Sequence, residues 1–114
     1  MAKEKMSKVT EQWLFLQDVA KLIEYIKSHG LVCTGGELWR TAEQQKIYVD
    51  KGLSKTMNSK HLERLAIDLN FIDHGKIIDC PDHVGDYWES LNSFKNEWGG
   101  RWHFRDLGHF QRNV

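Results

Sequence analysis

The sequence predicts one α+β domain, a small and mostly antiparallel sheet packed with two or three helices. Three observations carry this. Apolar residues recur every three or four positions in two long stretches, one near each end of the chain. Between them, residues 65–72 alternate apolar and polar and run into the tight turn Asp73-His74-Gly75. No Pro-rich or Ser-rich linker and no repeat divides the 114 residues, and the only proline is Pro81. Residues 1–114 therefore read as a single domain with a short frayed start, long enough for one modest core.

In chain order, residues 7–29 read as an amphipathic helix. Val9, Trp13, Leu16, Ala20 and Ile23 form its stripe, and Val19, Leu22 and Ile26 widen it. Gly30 stands where a helix ends in the left-handed conformation. Residues 31–33 suit a short buried strand leading into the Gly35-Gly36 turn. Thr41 and Gln44 fit a capping box, so a second helix is expected to run to Lys51 and stop at Gly52. Residues 53–60 are polar and turn-like. Leu65, Ile67, Leu69 and Phe71 share one face of the best strand, and residues 76–79 return antiparallel to it. A last helix is expected over residues 82–98, from the spacing of Val84, Tyr87, Trp88, Leu91, Phe94 and Trp98, with Gly85 weakening its start. Gly99 and Gly100 end it. Trp102 and Phe104 alternate like a strand, and Phe110 closes the core.

Composition excludes several function classes. Lysine plus arginine and aspartate plus glutamate are both 16, so the formal charge is zero. That balance opposes a broad phosphate-binding surface, and no nucleic-acid partner is expected. No apolar run approaches the ~18 residues of a membrane span, so no membrane insertion is expected. The charged start at residues 1–9 precedes no clean apolar core, so no secretory signal is expected. Cys33 and Cys80 then read as reduced thiols in a protein made in a cytoplasm. Five tryptophans and six histidines stand out.

Four histidines have ordinary readings. His29 sits at a helix C-terminus, His74 in a turn and His83 near a helix start, while His103 points away from the core. His61 differs, because Asp68 follows seven residues later inside an apolar strand. Alternation turns Asp68 to solvent, whereas a buried carboxylate there needs a partner or a cation. Asp106 and His109 form a second island. Catalytic zinc takes three protein ligands and leaves a position for water. His61, Asp68 and His109 would supply two nitrogens and an oxygen, leaving Asp106 as a base. Spacing alone leaves open that Asp106 only brackets a turn.

The islands together resemble the zinc peptidase family of the D-alanyl-D-alanine peptidases and the phage L-alanyl-D-glutamate endolysins. The matching segments are Glu37-Leu38-Trp39-Arg40-Thr41-Ala42-Glu43-Gln44, the run from Ser59-Lys60-His61 to Ala66-Ile67-Asp68-Leu69, and Tyr87-Trp88. The match continues through Trp98-Gly99-Gly100-Arg101-Trp102 and Asp106-Leu107-Gly108-His109-Phe110-Gln111. Their endings look most like the phage endolysin branch.

The resemblance implies a D-Ala-D-Ala peptidase-like (hedgehog/DD-peptidase) fold and a Zn2+ cofactor held by His61, Asp68 and His109. Asp106 would be the general base and later the proton donor to the leaving amine. Arg40 would stabilise the oxyanion or hold a substrate carbonyl, and Ser59 would hydrogen-bond substrate or orient the site. Trp39, Tyr48, Trp98 and Trp102 are the candidate groove aromatics, of which at least half are expected to be core. The family usually has glycine where this chain has Arg64, so arginine at a positive φ would cost about 1 kcal/mol or more.

The expected activity is endopeptidase cleavage of the L-alanyl-D-glutamate bond in the peptidoglycan stem peptide. It would be carried out by a monomer made in the bacterial cytoplasm and acting on the wall after release. The rivals are a D-alanyl-D-alanine carboxypeptidase and a non-catalytic zinc or wall-binding module of a phage particle.

Overall fold

The computed structural model describes residues 6–54 and 56–114, and the frayed start expected for the chain lies outside these. The elements in order are α1 (Lys8–Ser28), β1 (Val32–Gly35), α2 (Ala42–Asp50), a 3-10 turn (Lys60–Glu63), β2 (Ala66–Asp73), β3 (Lys76–Ile78), α3 (Asp82–Leu91), β4 (Asn96–Trp98), a second 3-10 turn (Gly99–Arg101) and β5 (His109–Arg112). All strand pairings are antiparallel, in the order β1-β2-β5-β4, with β3 also paired to β2. The expected α+β class is the observed one.

Local chemistry sets most of the boundaries. Ser7 caps α1 by accepting the Thr10 amide, and Gly30 follows the helix at φ 70°. Thr41 caps α2 by accepting the Gln44 amide at 3.0 Å. His74 and Gly75 both take positive φ, which gives the two-residue turn that joins β2 to β3 with Asp73 opposite Lys76.

The core lies between the sheet and the paired helices α1 and α3. Trp88 of α3 is its centre, packed edge-on against Phe15 of α1 and Phe110 of β5. Its indole N–H donates to the Gln111 carbonyl at 3.1 Å. Val19, Leu22 and Ile26 extend the same layer. Gly85 sits where a Cβ would come within 2.1 Å of the Trp98 ring, so the glycine that weakens the helical pattern is a packing contact.

Three expectations are corrected. The α1 stripe splits: Val19, Leu22 and Ile26, with Phe15, face the core, whereas Val9, Trp13, Leu16, Ala20 and Ile23 are exposed. Apolar residues cover so much of this helix that period alone does not choose a face. The last helix ends at Leu91, not at Trp98. The Asn92 side chain accepts the amides of Phe94 and Lys95, a local bond that competes with helix. Phe94 is therefore 96% exposed, and Trp98 lies on β4. Finally, Trp102 and Phe104 form no strand; the closing strand is β5, which contains Phe110.

A buried ionic knot fastens α1 to the end of the sheet. Glu11 Oε1 accepts from Arg112 Nε and Nη2 at 3.0 and 2.9 Å, and Glu11 Oε2 from Lys95 at 2.7 Å. Burial works to raise the Glu11 carboxyl, but the bonds from Lys95 and Arg112 outweigh it and hold the carboxyl below its ordinary value. A lowered carboxyl stabilises the fold above its unfolded pKa, and that stabilisation is lost as pH falls. Wild-type stability to urea is therefore expected to fall below about pH 5, and more steeply than that of Glu11→Gln.

Arg64 adopts φ 60° and ψ 35° at the end of the first 3-10 turn, the strained conformation anticipated for it. Its guanidinium lies 4.7 Å from the Trp39 ring centroid, a stack worth about 0.5–1 kcal/mol at an exposed site. Arg64→Ala keeps most of the strain and loses the stack, so denaturant unfolding is expected to show a loss of about 0.5–1 kcal/mol. Arg64→Gly removes the strain as well, and its stability is expected within about 1 kcal/mol of wild type.

Candidate active site

The first 3-10 turn and the β2–β5 ladder bring the predicted ligands together. The Ser59 hydroxyl accepts the His61 amide at 3.2 Å and starts that turn. Arg64 turns the chain directly into β2. Asp68 of β2 and His109 of β5 are register partners, so their side chains share one face of the sheet. Strict alternation put Asp68 toward solvent; this face is instead the floor of a cleft of about 540 Å3.

Asp68 Oδ1 lies 3.2 Å from His61 Nε2 and 3.1 Å from His109 Nδ1. One ligand atom from each residue lies within 4.8 Å of the others. The outer nitrogens fix the tautomers. His61 Nδ1 faces the Leu38 carbonyl at 3.1 Å and must donate to it. His109 Nε2 lies 2.8 Å from Gln111 Oε1, whose own amide N–H donates to Asn113 Oδ1 at 2.6 Å. In the neutral histidines both inner nitrogens therefore present lone pairs to a carboxylate oxygen. Three acceptors facing one another require a positive charge between them, a proton or a cation. Two imidazoles and a carboxylate are a donor set that suits a divalent transition metal.

The electrostatics agree. Burial would raise the Asp68 carboxyl, but the bonds to His109 and His61 hold it far below its ordinary range. Burial depresses His109, and its contacts with Asp68 and Gln111 overcome that and raise it. Asp106 is not part of the ligand trio. Its Oδ2 is 4.0 Å from His109 Nδ1, and its side chain is 56% exposed. Partial enclosure lifts this carboxyl above its ordinary value; His109 pulls it down and Asp68 pushes it up. A carboxylate raised in this way, beside a candidate metal site, has the chemistry of a general-base candidate.

Arg40 also lines the cleft. Its Nε is ion-paired with Glu37, its Nη1 donates to Gln45 Oε1 at 2.7 Å, and its guanidinium lies 4.6 Å from the Tyr48 ring centroid. Tyr48 donates to the other Glu37 oxygen at 3.0 Å. Ser59 is 3.5 Å from Arg40 Nη1 and lines the cleft, besides capping the turn. Of the four candidate groove aromatics, Tyr48 and Trp102 line the cleft, and the Trp102 ring centroid lies 5.0 Å from that of His109. Trp98 is buried core, and Trp39 stacks under Arg64 away from the cleft lining. His29, His74, His83 and His103 do not line the cleft. Glu37, Gln45 and Gln111 had no role in the sequence reading. Their neighbours in sequence carried the signal, but which side chains face the cleft depends on tertiary packing.

Residues 53–112, slightly more than half of the chain, match the family model described as D-alanyl-D-alanine carboxypeptidase. The chain belongs to this peptidase family. The match covers His61, Asp68, Asp106 and His109 and leaves Arg40 outside. The L-alanyl-D-glutamate peptidase of Listeria phage A118 is 36% identical over 99 residues. That alignment covers 82% of this chain and 35% of the phage protein, so the chain spans about a third of that relative. Two solved structures of family-like fold superpose well. The L-Ala D-Glu endopeptidase ChiX of Serratia marcescens gives a TM-score of 0.67 at 23% identity, over 87% of this chain and 77% of that one. The vancomycin-resistance D,D-pentapeptidase VanY, solved in complex with Zn(II), gives 0.55 at 16% identity, over 88% and 71%.

By accepting from His109 Nε2, Gln111 acts as a positioning residue for the candidate metal site. Gln111→Ala is expected to weaken divalent-metal binding by about 10- to 100-fold in calorimetry, and His61→Ala to weaken it further.

Proposed function

We propose that this chain is a zinc-dependent peptidoglycan hydrolase that cuts the L-alanyl-D-glutamate bond of the stem peptide. The observation that carries the reading is the convergence of His61 Nε2, Asp68 Oδ1 and His109 Nδ1 on one cleft floor, with Asp106 at its edge. The phage relative and ChiX, both named for that bond, support the choice of substrate. The Zn(II) complex of VanY and the two-imidazole, one-carboxylate donor set support the choice of metal.

His61, Asp68 and His109 would hold the zinc. When bound, it supplies Lewis acidity, lowering the pKa of a water and polarising the scissile carbonyl. The protein supplies the rest. Asp106 accepts the proton of the attacking water and returns it to the leaving amine. Arg40, held rigid by Glu37 and Gln45, presents N–H groups toward the developing oxyanion. Trp102 and Tyr48 wall the cleft against the stem peptide, and Ser59 fixes the turn that carries His61. On this reading the substrate is the cell wall, where the enzyme would act.

The test is a digest of purified peptidoglycan with zinc and with chelator, read by mass spectrometry of the new termini. New N-terminal D-glutamate or D-isoglutamine, abolished by chelator, is the expected result. Asp106→Ala is expected to lower kcat about 100- to 10,000-fold with zinc still bound. Release of terminal D-alanine would instead assign carboxypeptidase action, and zinc binding without cleavage would assign a binding module.

A further inference from the structure

The face of α1 turned away from the core has no covering element among the described residues. Val9, Trp13, Leu16, Ala20 and Ile23 follow one another at intervals of four, three, four and three, the spacing of a helix-to-helix seam. Val9 is 74% and Trp13 60% exposed, and exposed Met6 precedes them just before the helix. From Val9 to Ile23 the seam covers about 22 Å of the regular helix Lys8–Ser28. Opposite it, Phe15, Val19, Leu22 and Ile26 already fill the core, so the seam is surplus to the fold.

We propose that this seam pairs two copies of the chain through antiparallel α1 helices. The register that centres the pair between residues 14 and 15 is self-complementary. It sets Val9 against Ala20 and Trp13 against Leu16 of the second copy, each pair occurring twice, as a two-fold axis demands. The seam's solvent-side flank, Thr10, Gln17 and Glu24, carries one charge, so no row of like charges meets its own copy. The exposed side chains amount to on the order of 500 Å2 per copy, comparable to the largest apolar patch of a typical monomer, a patch that is often functional. Complete burial of the patch on both copies removes at most about 1,000 Å2, the lower end of what a specific interface needs. The pair therefore forms reversibly.

Light scattering coupled to gel filtration tests this across the micromolar range. The mass is expected to rise from 13.4 kDa toward twice that value with concentration. Leu16→Glu, on the exposed face, is expected to stay at one copy with unchanged circular dichroism and unchanged zinc binding. Mixed Val9→Cys and Ala20→Cys chains are expected to yield more disulfide-linked pairs on mild oxidation than either variant alone. A single-copy mass throughout, a pair that survives Leu16→Glu, or Val9→Cys linking mainly to itself would overturn the proposal. A single-copy protein that co-sediments with lipid vesicles through this face would overturn it in favour of a membrane surface.

Discussion

The pairing of β2 with β5 is the constraint on which the rest of the structure depends. Its register places Asp68 directly opposite His109 and Ile67 opposite Phe110. In a strand the side chains alternate, so a slip of one residue would turn His109 into the core and Phe110 into the cleft. The core side of β5 opposes such a slip. Phe110 is fully buried against Trp88, and Arg112 is held by the Glu11 carboxylate of α1. At the other end of the strand, the Leu69 amide donates to the Gly108 carbonyl at 2.8 Å. A Cβ on Gly108 would come within 2.5 Å of the Leu69 carbonyl oxygen, so this approach needs glycine. Packing on one face thus decides the chemistry on the other.

The site concentrates acceptors where a folding chain would avoid them. An unpaired buried polar group costs roughly 1–3 kcal/mol, and a charged one more. Here each histidine is tied at its outer nitrogen, His61 by a backbone carbonyl and His109 by Gln111, so neither ring is free to turn its proton inward. Gln111 is fixed in turn by Asn113, and its carbonyl takes the Trp88 indole N–H. The core tryptophan is therefore two bonds from a metal-ligand candidate. Arg40 is treated alike: Glu37 and Gln45 fix its guanidinium, and its backbone amide donates to the His61 carbonyl at 3.2 Å. This bond ties the Arg40 backbone to the turn that carries His61.

Much of this was legible in the sequence, for identifiable reasons. The Thr41 cap, the turn at His74 and Gly75, and the left-handed Arg64 are local events, decided by residues adjacent in the chain. The four candidate chemical residues were legible because their order matches a family pattern, not because of their spacing. Taken by alternation, Asp68 pointed to solvent, and only the arrival of β5 and the His61 turn made that face a cleft. Glu37, Gln45 and Gln111 were not legible, since their roles lie in which neighbour their side chains meet. The end of α3 was misread because Phe94 and Trp98 keep the helical period, while the Asn92 side chain breaks it.

The misreading of α1 has a different origin, and it bears on how the fold supports the site. A helix with apolar residues around most of its circumference offers two faces of similar merit, and hydrophobicity does not rank them. Polar partners do. Glu11 lies on the side of Phe15 and Leu22, and its burial is tolerable only because Arg112 and Lys95 meet it there. Turning the helix to bury Trp13 and Leu16 would expose this carboxylate and leave Arg112 inside without its partner, at a cost of about 3–5 kcal/mol. The ion pair thus selects the face. It also anchors β5 three residues from His109, so the inward face of α1 helps hold the strand that carries this candidate metal ligand. The outward face is released from that duty, and its apolar surface is open to association without disturbing the cleft.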